Sequence, residues 1–362
     1  MRAVRTRLYI RPLDGEARWL AIEGSRFVED DGFGELIDTG RFWAIPGLAD
    51  CHAHLAGDTR ADLGRPGRLD QVRVRAFSQL AAGVFVVLDK GWSDDVVMSL
   101  LDDPLEGRPY LRVAGRRIIA TAGGYYPGFC QEVDPAELPA AVAAAASPGG
   151  WVKIIGDWPR PGRGAVANFP EEALAAAVAA AHRAGVKVAV HSFAPDVPGA
   201  AVRAGVDSVE HGLYMTPADL AVLGGYGGAW VPTIACVRSV LDSLAPGSSG
   251  ATLLGAGLEQ LRRVLPMAGA AGATVLAGTD LALPHGGVAE EARLLSEWGL
   301  GDEAAFQAVT SNAYRYLEIE HSFVPGALAD VVFVEADPRS DITTLGHPAA
   351  VVRAGRVLRG PL

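Results

Sequence analysis

Two histidines stand one residue apart in Asp50-Cys51-His52-Ala53-His54. On an extended strand alternate side chains share a face, so His52 and His54 point one way and Cys51 and Ala53 the other. Neutral imidazole is a good ligand for zinc and similar divalent metals, and a pair so placed can grip one ion. Taken alone, the pair reads equally well as two histidines stacked on a strand face. Four more residues shift the balance. Lys153 lies inside Trp151-Val152-Lys153-Ile154-Ile155, His191 follows Val188-Ala189-Val190, His211 follows Ser208-Val209-Glu210, and Asp280 follows Ala277-Gly278-Thr279. Each sits at or near the C-terminal end of a run that reads as a strand.

These runs belong to a longer rhythm. From Pro46 to about Leu317, apolar strands alternate with alanine-rich helical segments. Strands are expected at 48–55, 84–89, 110–119, 151–156, 186–192, 208–212, 230–235 and 274–281. Gly185, Gly205 and Gly272 each fall between a helix and the next strand, where a left-handed cap is expected. The pattern predicts an α/β fold, a (β/α)8 TIM-like barrel whose active site is assembled on the C-terminal rim of the strands. Residues 1–46 read as short strands and turns, and 329–334 and 350–358 are β-like. The two chain ends are expected to form a small β-sandwich domain, 1–46 plus 322–362, beside a barrel of 47–321.

The ordered set of motifs resembles the amidohydrolase superfamily, in its binuclear branch with a strand-four lysine. The imidazolonepropionase-like and prolidase-like amidohydrolases resemble it most. Pro46-Gly47-Leu48-Ala49-Asp50-Cys51-His52-Ala53-His54, Val152-Lys153-Ile154, Val190-His191, Glu210-His211-Gly212, Gly278-Thr279-Asp280, Pro284-His285-Gly286 and residues 325–332 carry the likeness in order. The resemblance implies that His52, His54 and Asp280 hold one divalent ion, zinc by expectation, and His191 and His211 a second. It implies that Lys153 is carboxylated by carbon dioxide and bridges both ions. A carbamate turns a cationic amine into an anionic oxygen ligand, whereas Lys⁺ would be repelled. The implied reaction is hydrolysis of a carbon–nitrogen amide bond in a small substrate: a dipeptide, an N-acyl amino acid or a cyclic amide. A hydroxide bridging the metals attacks the carbonyl, and Asp280 moves its proton to the leaving nitrogen.

Substrate contacts are less specific. His285 lies on the loop after the last strand; Tyr125, Tyr126 and Tyr214 offer hydroxyls; Arg117, Arg160, Arg163 and Arg238 offer carboxylate clamps. Gly123-Gly124 is followed by Tyr125-Tyr126, where prolidase-like relatives commonly carry histidine; if that histidine recognises substrate in them, their substrate is not assumed here. Cys51 is expected to face away from the metals, and Glu210 to point outward toward helices. Cys130 and Cys236 show no adjacent base.

Competing functions weigh less. A mononuclear deaminase of the same superfamily usually carries a glutamate soon after the strand-five histidine, and His191-Ser192-Phe193-Ala194-Pro195 has none. A lactonase remains an alternative; a non-catalytic binding protein predicts a broken ligand set. The chain has 362 residues and a formal charge of −10 without a basic run, which argues against nucleic acid. It has no apolar run long enough to span a bilayer and no signal-like block. Three cysteines make no disulfide framework. A cytoplasmic protein acting on a small molecule is expected, with homo-oligomerisation left open.

Overall fold

The computed structural model describes residues 5–57, 63–114, 118–146 and 150–360. Parallel strands carry the middle of the chain. Leu48–Ala53, Val84–Asp89 and Tyr110–Val113 pair as one three-stranded sheet. Ile118–Ala120, Trp151–Ile155, Lys187–Ser192, Ser208–His211, Ala229–Val231 and Thr274–Val275 follow one another through a seven-stranded sheet, with Cys130–Glu132 on its first edge. Its last edge returns to the first sheet: Cys51 N donates to Ala277 O at 2.8 Å and Asp280 N to His52 O at 2.6 Å.

Strands buried on both faces need near-continuous apolar sequence, as in Val84-Phe85-Val86-Val87-Leu88. Phe85 and Val87 share a core with Val72, Ala76 and Leu80 of helix Gly64–Ala81. Val86 and Leu88 pack instead with Ala49, Cys51, Trp151, Ala189 and Leu276, the layer enclosed by the strands. Helix Glu171–Arg183 buries Leu174, Ala177, Val178 and Ala181, the spacing of one helical face. Among the described residues, no helix is long and apolar enough to cross a membrane.

The chain ends form two four-stranded sheets. Thr6–Ile10, Arg18–Glu23, Arg26–Glu29 and Glu35–Ile37 make one; Trp43–Ile45, Val331–Val334, Ala350–Arg353 and Arg356–Arg359 make the other. Leu8, Ile10, Leu20 and Phe27 from the first share a core with Val331, Phe333 and Val352 from the second.

Several elements depart from expectation. The strand expected over 110–119 divides into Tyr110–Val113 and Ile118–Ala120. The one expected over 230–235 ends at Val231: Pro232 has no N–H to donate, Thr233 takes φ +47°, and helix Ile234–Ser243 begins. Regular pairing of the last strand stops at Val275. The single β-run over 350–358 is a hairpin, turned by Ala354 (φ +48°) and Gly355 (φ +76°). An additional hairpin, Asp157–Arg160 with Gly164–Ala167, follows the strand bearing Lys153. Its turn signal, Pro161-Gly162, was present in the sequence.

Candidate active site

The ends of the parallel strands converge on a cluster of imidazoles around one carboxylate. Ligand-type atoms of His52, His211 and Asp280 lie within 4.8 Å of one another. His54 Nε2 stands 3.3 Å from Asp280 Oδ1. The rings of His52 and His54 are 5.3 Å apart, those of His52 and His211 5.2 Å, and those of His191 and His211 4.7 Å. Lys153 is buried within electrostatic reach of His52, His191 and His211.

Backbone geometry makes this convergence. His211 (φ +63°) turns left-handed at the end of its strand, and Thr233 (φ +47°) and Asp280 (φ +53°) do so in the segments that follow theirs. That region is unfavourable for residues with a Cβ, and it persists only where surrounding contacts impose it. Gly278 lets strands approach: a Cβ there would fall 2.5 Å from His52 Cβ. Asp50 ties the first strand to the last, accepting from Thr279 Oγ1 at 2.7 Å and Thr279 N at 3.1 Å. Asp89 accepts from Leu55 N and Gly91 N, and His54 Nδ1 bonds Gly91 O at 2.6 Å.

Glu210 corrects the expectation from alternation. It points inward, fully buried, with Lys90 Nζ at 2.8 Å and Ser208 Oγ at 2.5 Å on Oε1. Its Oε2 stands 2.6 Å from His52 Nδ1. Ser208 and Glu210 share the inner face, and the left-handed turn at His211 brings the next side chain to the same mouth. Cys51 is buried as expected, yet it belongs to the inner layer beneath the ligands. The pairing of this strand with Val84–Asp89 is irregular between Asp50 and Ala53, so simple alternation does not hold at Cys51 and His52.

Burial sets the charge states. It pushes His52 down to about 4 and His191 to about 3, with Lys153 adding to both, so these imidazoles are neutral. Burial would raise Asp280 and Glu210, but their partners prevail: His54, hydrogen-bonded to Asp280, holds it well below the carboxylate range, and Lys90 does so for Glu210. Lys153 is lowered to about 8, chiefly by burial. Its Nζ and His191 Nε2 are buried with no hydrogen-bond partner. Two such orphans cost about 1–3 kcal/mol each unless something else binds them. Neutral imidazoles, an anionic carboxylate and an unpaired amine fit a divalent metal centre.

The expected substrate contacts fare unevenly. Tyr125 and Tyr126 stand in one aromatic cluster with Trp158, at centroid distances of 4.7 and 4.8 Å. Trp158 lies 5.9 Å from the His191 ring. Tyr214 donates its hydroxyl to Leu253 O at 2.7 Å. Arg160 binds Ala122 O, Thr121 Oγ1 and Asn168 Oδ1, bracing a loop. Arg163 and Arg238 are exposed, and His285 is half-buried in a loop whose Gly286 N donates to Gln79 Oε1 at 2.9 Å. Arg117 lies outside the described residues.

Lys90, Cys236, Trp92 and Trp158 also stand at this site and were not anticipated. Cys236 Sγ donates to Asp280 Oδ2 at 3.2 Å, from helix Ile234–Ser243, which begins where a strand was expected to end. Lys90 follows a strand end like the other rim residues, a signal open to sequence reasoning. Trp158 rides on the unexpected hairpin.

The amidohydrolase family profile matches residues 161–358, more than half of the chain. The chain belongs to the amidohydrolase family. An uncharacterized protein of Mycobacterium tuberculosis is 32% identical over 360 residues, covering 96% of this chain and 91% of that protein. Ochratoxinase of Aspergillus niger is 26% identical over 366 residues, covering 88% of this chain and 76% of its own. The crystal structure of a Xaa-Pro dipeptidase with bound methionine superposes with TM-score 0.79 at 25% identity, covering 98% of this chain and all of that one (100%). As a member of the amidohydrolase family, the chain is a hydrolase.

Proposed function

We propose that this amidohydrolase is a metal-dependent enzyme that cleaves the carbon–nitrogen amide bond of a small substrate: a dipeptide, an N-acyl amino acid or a cyclic amide. The observation that carries the reading is the meeting of His52, His211 and Asp280 within 4.8 Å beside the unpartnered, buried Lys153 amine. His52, His54 and Asp280 would hold one divalent ion, His191 and His211 a second, with zinc the expected metal. Lys153 would join both as its carbamate, formed when the neutral amine adds carbon dioxide and releases a proton. The ions, when bound, supply Lewis acidity toward the scissile carbonyl and make water at the site more acidic.

The remaining chemistry belongs to the chain. Asp280 accepts the proton of the attacking water and delivers it to the leaving nitrogen. Contact of His52 Nδ1 with Glu210 leaves Nε2 for the metal and fixes the ring. His54 is fixed likewise through Nδ1 and Gly91 O.

The parallel strands and their helices we read as a (β/α)8 barrel over 47–321. The two terminal sheets we read as a β-sandwich domain of 1–46 plus 322–362. The formal charge of −10 suits a small-molecule substrate better than nucleic acid, and we read the protein as cytoplasmic.

The test is a screen of dipeptides, N-acyl amino acids, cyclic amides and lactones against protein of measured metal content. About two ions per chain and amide cleavage are expected, with loss of turnover on chelation and recovery on adding metal. Asp280→Asn and His52→Ala should lower kcat/KM by at least about 10³-fold. Full activity of either variant rejects the mechanism, as does one metal with ammonia release.

A further inference from the structure

An aromatic belt runs along the candidate ligands. His54 meets Trp92 at 5.6 Å between ring centroids, Trp92 meets Phe129 at 5.2 Å, and Phe129 meets Tyr126 at 6.2 Å. Tyr126 meets Trp158 at 4.8 Å, Trp158 meets His191 at 5.9 Å, and Phe193 packs on both His191 and His211 at 4.5 and 4.6 Å. The chain of rings therefore starts at one candidate ligand and ends at two others. Trp158 is only partly buried, and Tyr126 keeps 56% of its surface exposed.

The belt is braced rather than loose. Asn168 Nδ2 donates to Gly124 O and Ile155 O, joining the Tyr125-Tyr126 loop to the strand of Lys153. A Cβ on Gly124 would fall 2.4 Å from Asn168 Oδ1, so the loop sits against that amide as only glycine allows. Arg160, from the hairpin of Trp158, binds Ala122 O at 2.7 Å and Thr121 Oγ1 at 2.8 Å. Its guanidinium thereby holds the wall together. Tyr126 and the uncovered portion of Trp158 are exposed parts of this belt.

Resting on the amide-hydrolase reading, we propose that the belt is a subsite for an uncharged planar aromatic group. The preferred substrates are then amides carrying an aryl ring next to the scissile bond. Ring quadrupoles favour offset and edge-to-face contacts that a saturated ring of equal size cannot make. Two such contacts, from Tyr126 and Trp158, give a preference of roughly tenfold.

Two measurements test this on metal-reconstituted protein. The first compares kcat/KM for size-matched pairs: N-benzoylglycine against N-(cyclohexanecarbonyl)glycine, and N-acetylphenylalanine against N-acetylcyclohexylalanine. The second measures Kd by calorimetry for benzylphosphonate against cyclohexylmethylphosphonate, and needs no turnover. An aromatic preference of about tenfold in one substrate pair and in Kd is expected. It should fall below about threefold in Tyr126→Leu and Trp158→Leu, with metal content unchanged. Amide cleavage without an aromatic preference overturns the subsite and leaves the hydrolase reading standing. Absence of any amide cleavage overturns the hydrolase reading, and the phosphonate pair then decides the subsite by itself. A preference unaltered in both variants overturns the assignment to this belt.

Discussion

Lys90 and Glu210 form an ion pair with no access to water, beneath a histidine that the pair helps to orient. Buried pairs of this kind add little net stability, because desolvation offsets attraction; losing one partner is what does harm. Lys90→Met leaves the Glu210 charge unmatched and should destabilise the protein by roughly 3–5 kcal/mol. Lys90→Met combined with Glu210→Gln removes both charges and should recover much of that loss. Urea denaturation midpoints of the two variants check this, and equal midpoints would refute it. The double variant should still bind metal more weakly than wild type, because His52 Nδ1 loses its carboxylate. Glu210 was misread from alternation for an identifiable reason. Period-two logic holds along a strand and lapses where φ turns positive, as it does at His211.

At the scale of elements, helix starts behind the site are fixed by side chains distant in sequence. Glu291, on helix Val288–Leu295, accepts from Ile234 N at 2.6 Å and Ala235 N at 3.0 Å, at the start of helix Ile234–Ser243. That second helix carries Cys236 to Asp280. Burial raises the Glu291 carboxyl from 4.5 to about 8, against the pull of both amides. Between about pH 4.5 and pH 8 the folded chain keeps a proton that the unfolded chain releases, so this group makes stability fall as pH rises through that window. Glu291→Gln abolishes that slope. Its destabilisation should be largest near pH 5 and shrink toward pH 8, as read from denaturation midpoints at several pH values. A penalty that stays constant across the range would contradict the assignment.

Across the whole molecule, the second terminal sheet meets the start of the parallel strand Tyr110–Val113. Arg353 pairs with buried Asp330 and donates to Leu105 O at 2.8 Å and Arg108 O at 2.9 Å. Its guanidinium lies 4.7 Å from the ring of Tyr110, the first residue of its strand. Arg353→Met leaves Asp330 without its counter-charge and should cost about 3–5 kcal/mol. Metal stoichiometry and kcat should be unchanged at temperatures where the variant is folded. Loss of metal before loss of structure, followed by metal analysis along a thermal melt, would show that the two ends are coupled.

Much of this was legible in the chain itself. Continuous apolar runs separated by alanine-rich helices dictated buried parallel strands, because only strands covered on both faces require such runs. The order of His52, His54, Lys153, His191, His211 and Asp280 along those runs marked one rim. Local pattern did not determine how that rim is built. Left-handed strand ends, the Asp50–Thr279 tie, the Lys90–Glu210 pair and the ring contacts of Trp92 and Trp158 all join residues far apart in sequence. Periodicity records which face a residue prefers. The partner it meets across the mouth is decided only when the strands close on one another.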